Sequence, residues 1–390
     1  MDVSMFSRGA PGKMVRVGQG DAAYHAFVPA PLPPQLTFDL PLVLALAAAE
    51  RALGELRGLA QNNPSIGLLR APFMRQEAVL SSRIEGTVST VADVYAYEAG
   101  QLGLPGQSPA PPEHDVREVL NYVEALEFGL SRLASLPLST RFIRELHERL
   151  LHGVRGGYAT PGAFRTSQNW IGAAGATLNT AVYVPPPVPE MTEALSALET
   201  YLHAEDPTPA LIRVAWVHYQ FEAIHPFVDG NGRVGRLLIT LLLVHWGLLP
   251  VPVVYPSVYL ERNRSAYYEH LLAVSTHGTW EAWLAFFLQA MADAAQEAVQ
   301  KALRLDSLRS HWRGVARASG RSSLLEQIVD MVFAAPVITA NGVIKAFGVT
   351  HPSAMGALQR LEGAGLLREV TGQVRNRIYA ADLVLEALAR

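Results

Sequence analysis

The chain has 390 residues, more than one ordinary core accommodates, so two or three domains are expected. Hydrophobic residues at 49% against 17% charged exclude a disordered polymer, and a net charge of −3 excludes a general polyanion binder. The absence of cysteine excludes disulfides, thiolate zinc sites and a thiol nucleophile, and suits the reducing cytoplasm expected for this chain.

The opening "MDVSMFSRGAPGKMVRVGQG" lacks an apolar core of signal-peptide length. Residues 1–35, ending in "FVPAPLPPQL", predict an extended arm. Helical patterns cover 38–62 and 71–99. Within the second, "SSRIEGT" is ambiguous. Ser82 and Glu85 have capping-box spacing, as at a helix start, whereas Gly86 reads as a helix stop and puts Glu85 in a last turn, an unfavourable place for a carboxylate. "QLGLPGQSPAPPEHD" is a predicted loop, and helices follow at about 113–135 and 139–152. From "VRGGYATPGAFRTSQNW" to "AVYVPPP" the pattern is not helical; "NWIG" and "AVYVPPP" predict two short strands of a hairpin. Helices resume from Pro189 to His203, then over 209–224, 234–247, 261–275 and 279–306. The apolar run "LLITLLLVHWGLLPVPVV" is broken by His245 and prolines, and predicts a helix buried on all sides, not a membrane span. Past residues 310–320 the texture changes to three short helices followed by an alternating "REVTGQVRNRIYAA", a winged helix-turn-helix pattern. The fold class is therefore mainly α, a helical body with one hairpin flap and a small terminal domain.

The densest chemistry lies in "IHPFVDGNGRVGR", residues 224–236, between two apolar helices. Gly230 and Gly232 permit a tight turn whose N–H groups point one way and feed a helix N-terminus, a natural phosphate site. Arg233 and Arg236 are three apart on one face, which suits a ligand with more than one phosphate. A carboxylate beside phosphates, Asp229, needs a cation, and Mg²⁺ is commonly held by one carboxylate plus phosphate oxygens. His225 is suited to take a proton from a hydroxyl. Each residue alone has a bland explanation as core or loop; together they point to a hydroxyl attacking a nucleotide phosphate.

"HPFVDGNGRVGR" resembles the signature of Fic (Fido) proteins, His-x-Phe-x-(Asp/Glu)-Gly-Asn-(Gly/Lys)-Arg-x-x-Arg, without departure. "FVPAPLPPQLTFD", "EAVLSSRIEGTVST" and "YVPPP" resemble further segments of long Fic proteins. The resemblance implies protein AMPylation, transfer of AMP from ATP to a Tyr, Thr or Ser hydroxyl of a target protein, with self-modification and a homodimer as further expectations. It implies His225 as base, Asp229 as the Mg²⁺ ligand, Gly230, Asn231, Gly232 and Arg233 at the α- and β-phosphates, Arg236 at the γ-phosphate and Tyr268 at the adenine. Asn169, Trp170, Ile171, Val182 and Tyr183 would belong to a flap that docks the target by strand pairing. Ser81 with Glu85-Gly86 matches the family's inhibitory motif, so Glu85 would pair with Arg236 in place of the γ-phosphate; in some relatives the same glutamate supports AMP removal.

These readings divide the chain into an arm and inhibitory helical region over 1–110, a catalytic core over 111–310 and a winged helix over 320–390. The last holds seven Lys and Arg, including Arg321 and Arg390, against six Asp and Glu, a weak excess for DNA binding. Its candidate DNA contacts are His351, Ser353, Gln359 and Arg360, with Arg375 and Arg377 on the wing. Two alternatives stand beside AMP transfer: a winged-helix transcription regulator whose core senses nucleotide, and transfer of a different phosphate-containing group.

Overall fold

A computed structural model describes residues 1–63, 66–104, 110–154, 160–320 and 322–389, the side chain of Asp21 excepted. Parts of the predicted loop (105–109) and of the predicted non-helical stretch (155–159), with Arg321 and Arg390, lie outside them.

The chain is mainly helical. A β-hairpin of β1 (Gly12–Val17) and β2 (Tyr24–Pro29) precedes α1 (Leu40–Asn62), α2 (Ile66–Ile84), α3 (Val91–Glu98), α4 (Glu113–Arg132) and α5 (Thr140–Leu150). After an irregular stretch come α6 (Val188–His203), α7 (Ala210–Ile224), α8 (Asn231–His245), α9 (Ser257–Arg262), α10 (Arg264–His277) and α11 (Trp280–Ser319). The C-terminal region runs α12 (Ser323–Ala334), β3 (Val337–Thr339), α13 (Ala340–Phe347), α14 (His351–Gly363), β4 (Arg368–Glu369), β5 (Ile378–Ala380) and α15 (Asp382–Ala389). No described helix is long and apolar enough to cross a membrane.

The chain groups into two compact units, one of residues 1–54, 121–249 and 256–294, the other of 55–120, 250–255 and 295–390. The core of the first is the pair α7 and α8. Both are apolar almost all round, and nearly all their side chains are buried. The apolar part of the predicted run, residues 237–243, is buried as expected, whereas His245 at the end of α8 is exposed. The predicted arm is instead partly a hairpin, with Gly12 opposite Pro29 and Val17 opposite Tyr24. The second edge of β2 is engaged too, Phe27 N–H donating to Val184 O at 2.9 Å. The predicted hairpin at "NWIG" and "AVYVPPP" reduces to a single bridge, Ile171 to Tyr183. Pro185, Pro186 and Pro187 lack the N–H groups that would extend the ladder.

In the second unit α2 runs through Ser82, which is buried in its last turn, so the capping-box reading of Ser82 and Glu85 is wrong. The capping box of this region is Thr90 with Asp93, at the start of α3. Helix α11 extends to Ser319, past the predicted end at 306, because Trp312 is buried and meets Phe333 edge-on at 5.6 Å. The C-terminal strands form a sheet of order β3-β5-β4.

Lys301 on α11 is 4% exposed. Its Nζ donates to Gln76 Oε1 at 3.0 Å and to Leu388 O at 2.9 Å, with Glu297 Oε1 at 3.8 Å. The ammonium thus ties α2 and α15 to α11. Replacing it with Met leaves two buried acceptors unsatisfied and should cost about 1–3 kcal/mol. Hydrogen exchange should locate that loss as faster exchange in α15.

Candidate active site

The site is built where α7 turns into α8, within the first unit. His225 closes α7 in a left-handed conformation, φ 49° and ψ 61°, its N–H donating to Phe221 O at 3.0 Å. Such a backbone costs a non-glycine residue about 1–3 kcal/mol and persists only where surroundings enforce it. Gly230 caps α8 with φ 81°, a second left-handed residue that needs no side chain to be accommodated. Asn231 locks the intervening loop from inside: its Oδ1 accepts Phe227 N–H and its Nδ2 donates to Phe227 O, both at 2.9 Å.

Three further side chains brace this loop. Arg165, 2% exposed, donates from Nε to His225 O at 3.0 Å and from Nη2 to Pro186 O at 2.5 Å, while its own N–H donates to Pro226 O at 2.9 Å. Burial pushes its guanidinium down to about 10, still protonated at neutral pH. Asn169 donates from Nδ2 to Phe227 O at 2.8 Å and His225 O at 3.4 Å. His147 of α5 lies flat against Phe227, ring centres 3.7 Å apart. Its Nδ1 accepts Gly162 N–H at 2.9 Å, so Nε2 carries the proton and donates to Asp229 O at 3.0 Å. Burial holds this imidazole neutral, its pKa lowered to about 4.

No side-chain hydrogen bond caps α8, and the positive end of its dipole lies at this loop, where it favours an anion. Asp229 Oδ1 accepts Gly230 N–H at 2.6 Å and lies 3.7 Å from Arg233 Nη2. Arg233, in the first turn of α8, and Arg236, in the second, are both buried. At Gly235 the two helices come so close that a Cβ would stand 2.2 Å from Glu222 Oε1. On α7, His218 lies against this contact. Its Nδ1–H donates to Gly235 O at 3.2 Å and its Nε2 accepts from Tyr267 OH at 2.7 Å. Burial, with the Arg236 charge, lowers its pKa to about 3.

The loop therefore brings together His225, Asp229, Gly230, Asn231, Gly232, Arg233 and Arg236. The other expected residues lie on other segments of the chain. Tyr268 is half-exposed on α10 with the Arg264 guanidinium 5.7 Å above its ring. In the flap, Trp170, Ile171 and Val182 are exposed, whereas Asn169 turns in to the loop and Tyr183 is buried, its OH donating to Ala223 O at 2.8 Å. In the second unit, Ser81 is fully buried and Glu85 is exposed just past the end of α2. His351, Ser353, Gln359, Arg360 and Arg375 are exposed, and Arg377 donates to Gln373 O at 2.9 Å. Among the described residues no group of three or more His, Cys, Asp or Glu forms a metal cage.

His147, Arg165 and His218 escape the motif reading. A signal for His147 was present, since it falls on the apolar stripe Phe142, Ile143, Leu146 and Leu150 of α5. A polar residue on such a stripe demands a partner. Arg165, in an irregular Gly- and Pro-rich stretch, carries no comparable signal.

Two sequence models match the chain: the Fic/DOC family N-terminal region over residues 43–131 and the Fic/DOC family over residues 137–243, together about half its length. The chain belongs to the Fic/DOC family. The second match contains the whole loop from His225 to Arg236. Among curated relatives named protein adenylyltransferase Fic, that of Nematostella vectensis is 31% identical over 198 residues, covering 49% of this chain and 41% of the relative. That of Drosophila willistoni is 27% identical over 239 residues, covering 60% of this chain and 43% of the relative. The chain thus spans less than half the length of these relatives. A Fic family protein from Desulfovibrio desulfuricans shares the fold with a TM-score of 0.59 at 21% identity, over 90% of this chain and 98% of that one. Fic-1 (residues 134–508) from C. elegans shares it with a TM-score of 0.52 at 23% identity, over 67% and 73% respectively.

The Fic core should also show an acid sensitivity that traces to His218. Its folded pKa of about 3 lies below the unfolded value near 6.5, so the neutral ring stabilises the fold above pH 6.5 and that contribution is lost as pH falls toward 3. Urea midpoints measured between pH 7 and 4 should decline, and His218→Gln should flatten the decline.

Proposed function

We propose that this Fic protein transfers AMP from ATP to a hydroxyl of a protein target. The observation that carries the reading is the loop itself: a left-handed His225 and an uncapped α8 N-terminus flanked by two buried arginines, all set by twelve residues. The names of the curated relatives support it.

In this reading His225 takes the proton of the target hydroxyl, whose oxygen attacks the α-phosphorus of ATP. The bond from that phosphorus to the bridging oxygen of the β-phosphate breaks, and pyrophosphate leaves. The amides of Gly230, Asn231 and Gly232, with Arg233, neutralise charge on the α- and β-phosphates, and Arg236 meets the γ-phosphate. Asp229, a half-exposed carboxylate at the mouth of the loop, fits the single protein ligand that Mg²⁺ takes beside phosphate oxygens. When bound, the ion would supply further charge neutralisation on the phosphates. Tyr268 is assigned to the adenine. The exposed edge at Trp170, Ile171 and Val182 is assigned to the target backbone, and Asn169 and Tyr183 to holding that edge in place.

The inhibitory motif gives Glu85 the role of competing with the γ-phosphate for Arg236, with Ser81 as its helical support. On that basis Glu85→Gly should raise self-AMPylation at least several-fold, and His225→Ala should abolish it. The assay is mass spectrometry after incubation with ATP and Mg²⁺, alongside labelling with ATP carrying ³²P at the α- or the γ-position. Label from the γ-position alone would mean phosphoryl transfer and sink the AMP reading; an unchanged rate in Glu85→Gly would sink the inhibitory one.

A further inference from the structure

We propose that His147, which lies outside the family signature, is a positioning residue of the phosphate loop. Its Nε2–H holds the Asp229 carbonyl inward and thereby aims the Gly230 N–H at the phosphates of a bound nucleotide. The inference rests on the reading of the loop as a nucleotide site.

The argument starts from the geometry of one peptide unit. A trans peptide places its C=O and N–H on opposite sides. The Asp229 carbonyl is taken by His147 Nε2 at 3.0 Å, on the buried side of the loop. The Gly230 N–H must then point the other way. In this structure an anionic oxygen stands there, Asp229 Oδ1 at 2.6 Å, 3.7 Å from Arg233 Nη2. That position is suited to a negative oxygen, and a phosphate oxygen would take the same two partners. Turned by half a rotation, the peptide would instead present its carbonyl lone pairs to the phosphate, a repulsive arrangement.

Few side chains could hold the peptide this way. The imidazole has no freedom of its own. It is fully buried, it stacks on Phe227 with planes 8° apart, and Gly162 N–H fixes its tautomer. A Cβ at Gly230 would lie 3.5 Å from His147 Cδ2, so ring and capping glycine are in direct van der Waals register. His147 touches neither nucleotide nor target in this account. It acts through the Asp229–Gly230 peptide.

The test compares His147→Phe, which keeps the stacked ring and removes the donor, with His147→Gln, whose amide restores a donor at similar reach. Binding of ATP and of adenosine, which has the ring system but no phosphate, is measured by calorimetry for the full chain. His147→Phe should weaken ATP about tenfold or more, as expected for losing one hydrogen bond to a charged group, and leave adenosine unchanged. In turnover, KM for ATP should rise more than kcat falls. His147→Gln should recover most of the ATP affinity. The proposal is overturned if ATP and adenosine weaken together, if ATP is unaffected in His147→Phe, or if a folded His147→Gln binds ATP as poorly as the Phe variant. If His147→Phe does not fold, the Gln comparison alone decides. Wild-type protein that binds adenosine and ATP equally well would instead refute the nucleotide-phosphate reading on which the proposal stands.

Discussion

A backbone loop that must stay partly buried has to satisfy its own polar groups, and here that begins with one side chain inside it. Asn231 closes the 225–231 loop by taking both the N–H and the C=O of Phe227. A carboxamide offers a donor and an acceptor side by side, the complement of one residue's C=O and N–H. With that pair made, His225 is turned out of the helix, Gly230 caps α8, and both arginines follow in the first two turns of the same helix. The position of every candidate catalytic group follows from a two-bond ring inside the loop.

Around that ring the polypeptide spends a second set of buried polar groups. Arg165, Asn169 and His147 come from two other segments, and each reaches a carbonyl of the loop: His225, Phe227 or Asp229. Carbonyls held by these side chains leave the N–H side of the loop to the proposed ligand. Desolvating a guanidinium and an imidazole is costly, and multiple hydrogen bonds offset that cost. The result is a loop whose polar groups are fixed in advance, as the proposed anion site would need in order to stabilise charge without rearranging.

Much of this was legible in the chain. The helices were, because apolar periodicity at 3.6 residues is a local property, and the long apolar α7 and α8 announced a buried pair. The loop was legible because its glycines, asparagine, arginines and histidine are contiguous. What escaped was non-local. Arg165 stands sixty positions from the carbonyl it supports, and nothing near it in sequence says so. The β1–β2 hairpin was missed although "KMVRV" and "YHAFV" flank a Gly-rich turn, because its pairing depends on Phe27 being buried against the flap strand. The flap was over-read as two strands, since proline blocks the ladder there. At Glu85 local patterning left a helix start and a helix end both open, and the course of α2 through Ile84 excludes the start.

One feature of the loop sets a conflict between stability and function. His225 holds a backbone conformation natural to glycine. At that position a glycine would relax the main chain, whereas the histidine proposed as the base holds it strained. On the proposed chemistry, stability-driven sequence drift would therefore favour a replacement that removes the base. On that reading, a Fic chain with glycine at this point would be a fold relieved of its chemistry and steadier for it.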